Sequence, residues 1–133
     1  MTPTILILDV ATSGTSADKH TILEICCILV EICTLDVLET FSGVVRHTPS
    51  DVADAPVFHH ALVQECLNSE DATSMKAKEG FLLAGEWTTA KAVCNRHLDF
   101  DLSFLKRHMP TFHRALPRMQ IELKTQEMLW TAR

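Results

Sequence analysis

The sequence predicts an α/β domain with a mixed sheet of about five strands and helices packed against it. Three observations lead to this fold class. A run of apolar residues leads into Asp9, as in a strand buried on both faces. Two more apolar, β-branched stretches follow it along the chain. From Thr88 onward, short strands alternate with amphipathic helices. Strands followed by strand–helix alternation are typical of a three-layer α/β domain.

Strand character is found in five segments, which are residues 4–10, 21–33, 37–47, 88–94 and 118–122. A polar loop over 11–20 separates the first two. Residues 34–36 form a weak turn before the third, whose alternating pattern predicts antiparallel pairing. No repeat or low-complexity segment interrupts this order.

Helical spacing of apolar residues predicts helices over residues 58–67, about 71–84, 100–109 and 123–130. Ser69 or Asp71 is expected to cap the second of these helices. Gly85 is a suitable stop for it. Pro110 is expected to end the third helix, because proline cannot continue a helix interior.

Asp9 is the first candidate for a functional residue. It follows the apolar run of the first strand and precedes a turn over residues 12–14. A carboxylate at the end of a buried strand is costly to bury without a partner or a metal ion. Asp9 therefore either faces a site at the end of the sheet or caps the following turn.

Asp101 is the second candidate. Residues 100–105 read Phe-Asp-Leu-Ser-Phe-Leu, which puts Asp101 in the first turn of a short amphipathic helix. Asp99, two positions earlier, is expected to cap that helix.

These two stretches together resemble the DEDD exonucleases of the ribonuclease H-like superfamily, with oligoribonuclease and the proofreading exonucleases as the most similar branch. Residues 9–14, Asp-Val-Ala-Thr-Ser-Gly, resemble the family's first motif, Asp-x-Glu-x-Thr-Gly. Residues 95–105 are similar to its second motif, Asn-x-x-x-Asp-x-x-Phe-Leu. Residues 22–25, Ile-Leu-Glu-Ile, look like its second strand, and residues 104–110 are close to the oligoribonuclease pattern. The likeness extends from about Thr4 to about Trp130.

The resemblance implies 3′–5′ hydrolysis of phosphodiester bonds in short or single-stranded RNA or DNA by a two-metal mechanism. Mg²⁺ or Mn²⁺ would be the cofactor, because hard cations prefer carboxylate oxygens. The family's catalytic and metal-binding carboxylates carry over to Asp9 and Asp101. Its substrate-contacting positions carry over to Thr12, Gly14, His60 and Phe104. His60 belongs to the pair His59 and His60, which precedes a helix where some family members have a substrate-contacting histidine, although a plain surface pair is the alternative.

Two departures from the family pattern bear on activity. Ala11 stands where the family has the glutamate of its first motif, and the third motif, a histidine and an aspartate on a last helix, is not found before Arg133. We therefore expect residues 1–133 to form a single domain, shortened at its C-terminus relative to the family. Its catalysis is expected to be weak or lost. The alternative is an inactive exonuclease-fold module that binds nucleic acid or takes part in protein assembly.

Other side chains are candidates to replace the missing ligands. They are Glu24, Asp99, Glu122, Glu127 and His97. A homodimer or a partner subunit that supplies carboxylates is a further possibility. Cys94, His97 and Asp99 also allow a zinc interpretation, although a second Cys/His pair at ligand spacing is missing.

Composition bears on the partners of the protein and on its cellular compartment. The formal net charge is −5, so bulk basicity gives no argument for nucleic-acid binding. Five cysteines without regular spacing indicate free thiols in a reducing compartment, which favours the cytoplasm or the nucleus. No apolar run is long enough for a membrane span, and the basic start of a signal peptide is missing.

Overall fold

The computed structural model describes residues 3–123, and it confirms the predicted fold class, a mixed five-stranded sheet flanked by helices. The strands are β1 (Thr4–Thr12), β2 (Ile22–Glu31), β3 (Val37–Val44), β4 (Ala92–Asn95) and β5 (Met119–Glu122). The helices in these residues are α1 (His60–Asn68), α2 (Met75–Ala84), α3 (Leu98–His108) and α4 (Pro110–Ala115). Most of the predicted last helix, over 123–130, lies outside the described residues.

The strands lie in the order β3-β2-β1-β4-β5, with β1 at the centre of the sheet. β1 and β3 both pair antiparallel with β2, so the first three strands form the expected meander. β4 is parallel to both β1 and β5. Ile7 of β1 is level with Cys94 of β4. Asn95 directly follows Cys94, and Asp9 lies two residues after Ile7. The two side chains therefore lie close together where β4 ends beside β1.

The two faces of β1 are not equally buried. Leu6, Leu8 and Val10 belong to the main core. Ile5 and Ile7, on the opposite face, are only partly buried by residues 3–123. Asp9 shares that face and is exposed. The prediction of a strand buried on both faces is therefore wrong for the part of the chain that the structure describes.

Helix α3 packs its apolar face into the main core next to β1. Its buried side chains include Leu98, Leu102, Phe104 and Leu105, at the spacing of one helical face. Trp87, which is 1% exposed, fills the same core from a 3₁₀ turn at Trp87–Thr89. The apolar face of α3 thus fixes the position of its first turn, which contains Asp101.

Several predicted boundaries need correction, and local hydrogen bonds explain them. The segment predicted as a strand over 88–94 begins with the 3₁₀ turn, in which the Thr89 amide donates to the Glu86 carbonyl at 3.1 Å, so β4 is short. Helix α2 is capped neither by Ser69 nor by Asp71. The hydroxyl of Ser74 accepts from the amide of Ala77 at 3.1 Å and fulfils that role.

Helix α4 was not expected, because Pro110 was interpreted only as a helix stop. Pro110 occupies the first turn of α4, where proline needs no hydrogen-bond partner for its nitrogen. The carboxylate of Glu79 on α2 accepts from the amides of Thr111 and Phe112 at 3.0 and 3.1 Å. A carboxylate from another helix therefore satisfies the N-terminus of this short helix.

The loop after β1 is attached to α3 by a histidine. The Nε2 atom of His108 lies 3.0 Å from the Ala17 carbonyl and 2.8 Å from the His20 carbonyl. The ring of His20 in turn accepts from the Ser16 amide at 3.1 Å. These contacts hold the polar loop beside the carboxyl end of β1.

The predictions about the cysteines and about a membrane span can be compared with the structure. All five cysteines are free thiols, as expected. Within residues 3–123 no helix has the length and apolar character needed to cross a membrane.

Candidate metal and nucleic-acid site

Asp9 and Asp101, which are far apart in sequence, meet at the side chain of Asn95. The Nδ2 atom of Asn95 donates to Oδ1 of Asp9 at 3.3 Å and also donates to Oδ2 of Asp101. Asp9 comes from β1, Asn95 ends β4, and Asp101 lies in the first turn of α3. The parallel pairing of β1 and β4 and the packing of α3 therefore create this cluster.

The two carboxylates have different surroundings. Asp9 is exposed, whereas Asp101 is only 2% exposed. Burial raises the pKa of Asp101 to about 6, and the negative charge of Asp9 contributes in the same direction. The hydrogen bonds from Asn95 and from the Val10 backbone lower it but do not compensate. A cation between the two groups would favour the ionised form of Asp101.

Asp99 does not cap α3, contrary to expectation. The helix begins at Leu98, after His97, and His97 makes no side-chain capping bond. Asp99 is exposed in the first turn, where its charge suits the positive end of the helix.

The donor chemistry of this cluster fits a single divalent cation. Both acids offer hard oxygen ligands, and their sharing of one Asn95 amide places those oxygens close together. Ala11 contributes no ligand. Among residues 3–123, no three histidine, cysteine, aspartate or glutamate side chains already converge on one point. The zinc interpretation of Cys94, His97 and Asp99 therefore has no support in these residues.

A cavity of about 370 Å³ opens next to Asp9. The chain that follows Asp9 forms part of its lining. Three aromatic residues also line it, namely Phe58, His59 and Phe100. Phe58 is 81% exposed, and its ring centroid lies 4.5 Å from that of His59. An exposed aromatic ring in a cavity that a carboxylate also lines is a suitable surface for stacking a nucleic-acid base.

Thr12 and Gly14 both line this cavity, but their own contacts shape the turn. The Thr12 hydroxyl donates to the Gly14 carbonyl at 2.7 Å. A side chain at position 14 would lie 2.4 Å from the ring of His20, so only glycine allows that ring to pack there. Substrate contact by these residues stays a prediction.

His60 and Phe104 are placed away from the cavity lining. His60 is exposed at the start of α1, and its neighbour His59 lines the cavity instead. Phe104 is fully buried against Phe100 and His108, so its contacts are those of a core residue. The resemblance pointed to the pair His59 and His60, and of the two it is His59 that lines the cavity. Phe58 was expected only as an apolar residue of the following helix.

Solved structures with the same architecture were found by structural comparison. Escherichia coli exonuclease I bound to a 13-nucleotide deoxyadenosine oligonucleotide has a TM-score of 0.66 at 12% identity, covering 91% of this chain and 28% of that one. The nuclease domain of 3′hExo, a DEDDh family member bound to rAMP, has a TM-score of 0.62 at 17% identity, covering 83% of this chain and 60% of that one.

The chain has the fold of a 3′-exonuclease domain. A zinc-bound form of the E. coli exonuclease I complex with single-stranded DNA has the same fold, with a TM-score of 0.63 at 11% identity over 92% of this chain and 28% of that one. This chain therefore spans between about a quarter and three fifths of the length of these exonucleases. No family model and no curated protein matches the sequence.

Proposed function

We propose that this domain binds the 3′ end of single-stranded RNA or DNA in the cavity beside Asp9 and hydrolyses its terminal phosphodiester bond with the aid of Mg²⁺ or Mn²⁺. The observation that carries the proposal is the meeting of Asp9 and Asp101 at Asn95. The exonuclease fold supports it. So does the exposed Phe58 ring in the lining of the same cavity.

Each part of the site has a distinct task in this proposal. Asp9 and Asp101 hold the cation, and Asn95 keeps their oxygens together. A bound cation would stabilise the charge that develops on the phosphate and would lower the pKa of the attacking water. Phe58 and His59 stack against the last bases and position the strand end. Because the pKa of Asp101 is raised to about 6, a proton competes with the cation for this carboxylate below that pH.

A second candidate function is binding of a strand end without cleavage. It is favoured by Ala11, which places a methyl group where the family motif has a carboxylate. A site with two acidic ligands neutralises less charge than one with four, so we expect hydrolysis to be slow at best.

Digestion of a 5′-labelled single-stranded 20-mer in Mn²⁺ tests the proposal. We expect a ladder of products shortened from the 3′ end. Substituting both Asp9→Ala and Asp101→Ala should abolish the ladder, because no acidic ligand is left.

The matched control is the double variant Asp36→Ala and Asp54→Ala, which removes the same number of charges from exposed positions away from the site. It should digest the oligonucleotide as the unaltered chain does. A folded wild-type chain that binds the 20-mer but leaves it intact would support the non-cleaving candidate and refute hydrolysis.

A further inference from the structure

The residue opposite Ala11 across the sheet is an acid. In the antiparallel pairing of β1 with β2, Ala11 is level with Glu24 and Asp9 is level with Cys26. Directly opposed residues point to the same face of a sheet, as do residues two apart on one strand. Glu24 therefore lies on the face that carries Asp9. It is directly across from Ala11, the position at which the family motif has a glutamate.

The spacing across the two strands permits the Glu24 carboxylate to reach the site. Opposed residues have Cβ atoms about 4.5–5.5 Å apart, and diagonal neighbours such as Asp9 and Glu24 are about 7–8 Å apart. The two residues that flank this diagonal are Ala11, which has only a methyl group, and Cys26, which lies directly opposite Asp9.

A β-bulge adjoins Glu24. The register of β1 with β2 shifts between Ala11 and Thr12, so that Thr12 pairs with Ile22. Bulges bend a strand locally and redirect neighbouring side chains. Glu24 is therefore the last regularly paired residue of β2 at the end of the sheet where Asp9 and Asp101 meet.

The present partner of Glu24 is weak and exposed. The hydroxyl of Ser42, on β3, donates to Oε2 of Glu24 at 3.3 Å. Ser42 also lies 3.5 Å from the sulfur of Cys26. A cation held by Asp9 and Asp101 would compete for this carboxylate with the Ser42 hydroxyl and with the Cys26 thiol. Solvent can replace Glu24 at both of these exposed or half-buried groups.

We propose that Glu24 is the third carboxylate of the metal site and replaces, from the neighbouring strand, the acid that Ala11 does not provide. This inference rests on the proposed metal site at Asp9 and Asp101. It requires the Glu24 side chain to turn from Ser42 toward β1. The ligand set then contains acids from three elements, β1, β2 and α3.

Mn²⁺ binding to the whole chain, followed by the electron paramagnetic resonance signal of free Mn²⁺, tests the inference without relying on cleavage. Glu24→Gln should weaken Mn²⁺ binding by at least about tenfold, since loss of even an outer-shell partner costs that much. The glutamine retains an oxygen for Ser42, so the fold is preserved.

Two further variants make the test specific. Glu31→Gln changes the other glutamate of β2, about 23 Å away at roughly 3.3 Å per residue, and should leave Mn²⁺ affinity unchanged. Adding Ala11→Glu to Glu24→Gln returns a carboxylate to the position directly across from residue 24. This double variant should recover most of the Mn²⁺ affinity.

The outcomes separate this inference from the proposed function. Equal Mn²⁺ affinity of Glu24→Gln and the wild type would overturn the inference even if the chain degrades nucleic acid. Mn²⁺ binding that depends on Asp9 and Glu24 would support it even if no digestion occurs. Absence of Mn²⁺ binding by the folded wild-type chain would overturn it.

Discussion

Asp101→Asn is expected to make the fold more stable at pH 8 and, at the same time, to abolish Mn²⁺ binding. The pKa of Asp101 is raised from 3.8 to about 6 by burial. Ionising it in the folded protein therefore costs up to about 3 kcal/mol more than in the unfolded chain. Asparagine carries no charge, and its oxygen can still accept from Asn95.

The sign of the pH dependence follows from this shift. Well below pH 3.8 Asp101 is protonated in both the folded and the unfolded protein, so its burial carries no cost of ionisation. Between pH 3.8 and about 6 the folded protein binds more protons than the unfolded chain, so the free energy of unfolding falls as pH rises. The stability gap between Asp101→Asn and the wild type should therefore widen from pH 4 to pH 8.

Urea unfolding at these two pH values, with chelator present, measures the gap. Asp99→Asn is the matched control, because it removes an exposed charge from the same helical turn. An Asp101→Asn variant that is no more stable than the wild type at pH 8, or that still binds Mn²⁺, would contradict this account of the site.

Phe104→Ala is expected to destabilise the fold by about 3–5 kcal/mol, as is usual when a buried phenylalanine is truncated in a core. Phe104 is fully buried and packs against Phe100, at a centroid distance of 5.0 Å. The effect should be seen as a lower urea midpoint. Phe104→Leu, with a smaller loss of volume, keeps the measurement possible if the alanine variant does not fold.

The contrast with Phe58 separates packing from substrate contact. Phe58→Ala removes an 81% exposed ring and should leave the urea midpoint unchanged. It should weaken binding of a single-stranded oligonucleotide, because stacking on an aromatic ring contributes about 1–3 kcal/mol per base. If Phe104→Leu weakened oligonucleotide binding without lowering stability, Phe104 would contact substrate after all.

The local patterns of β1, β2 and α3 were predictable because each is set by neighbouring residues. The apolar run before Asp9 and the helical spacing around Asp101 predicted the elements that carry the two acids. Their meeting was an expectation from the family resemblance, since nothing in the spacing of residues 9 and 101 determines strand order. In the structure both carboxylates accept a hydrogen bond from the side-chain amide of Asn95.

Features that depend on tertiary contacts were missed. Helix α4 is capped by Glu79, more than thirty residues earlier in the sequence. The aromatic lining of the cavity forms because residues 56–59 and the end of β1 come together around it. Asn95 was noted only as part of a motif, because the bond it makes to Asp9 depends on the parallel pairing of β1 and β4.

Anomalous X-ray scattering from crystals of the chain soaked in MnCl₂ tests the central claim most directly. The account predicts a manganese peak within ligand distance of a carboxylate oxygen of Asp9 and one of Asp101. The peak should disappear in crystals of Asp101→Asn. Well-ordered crystals with no peak at this end of the sheet, or with a peak that persists in Asp101→Asn, would contradict it.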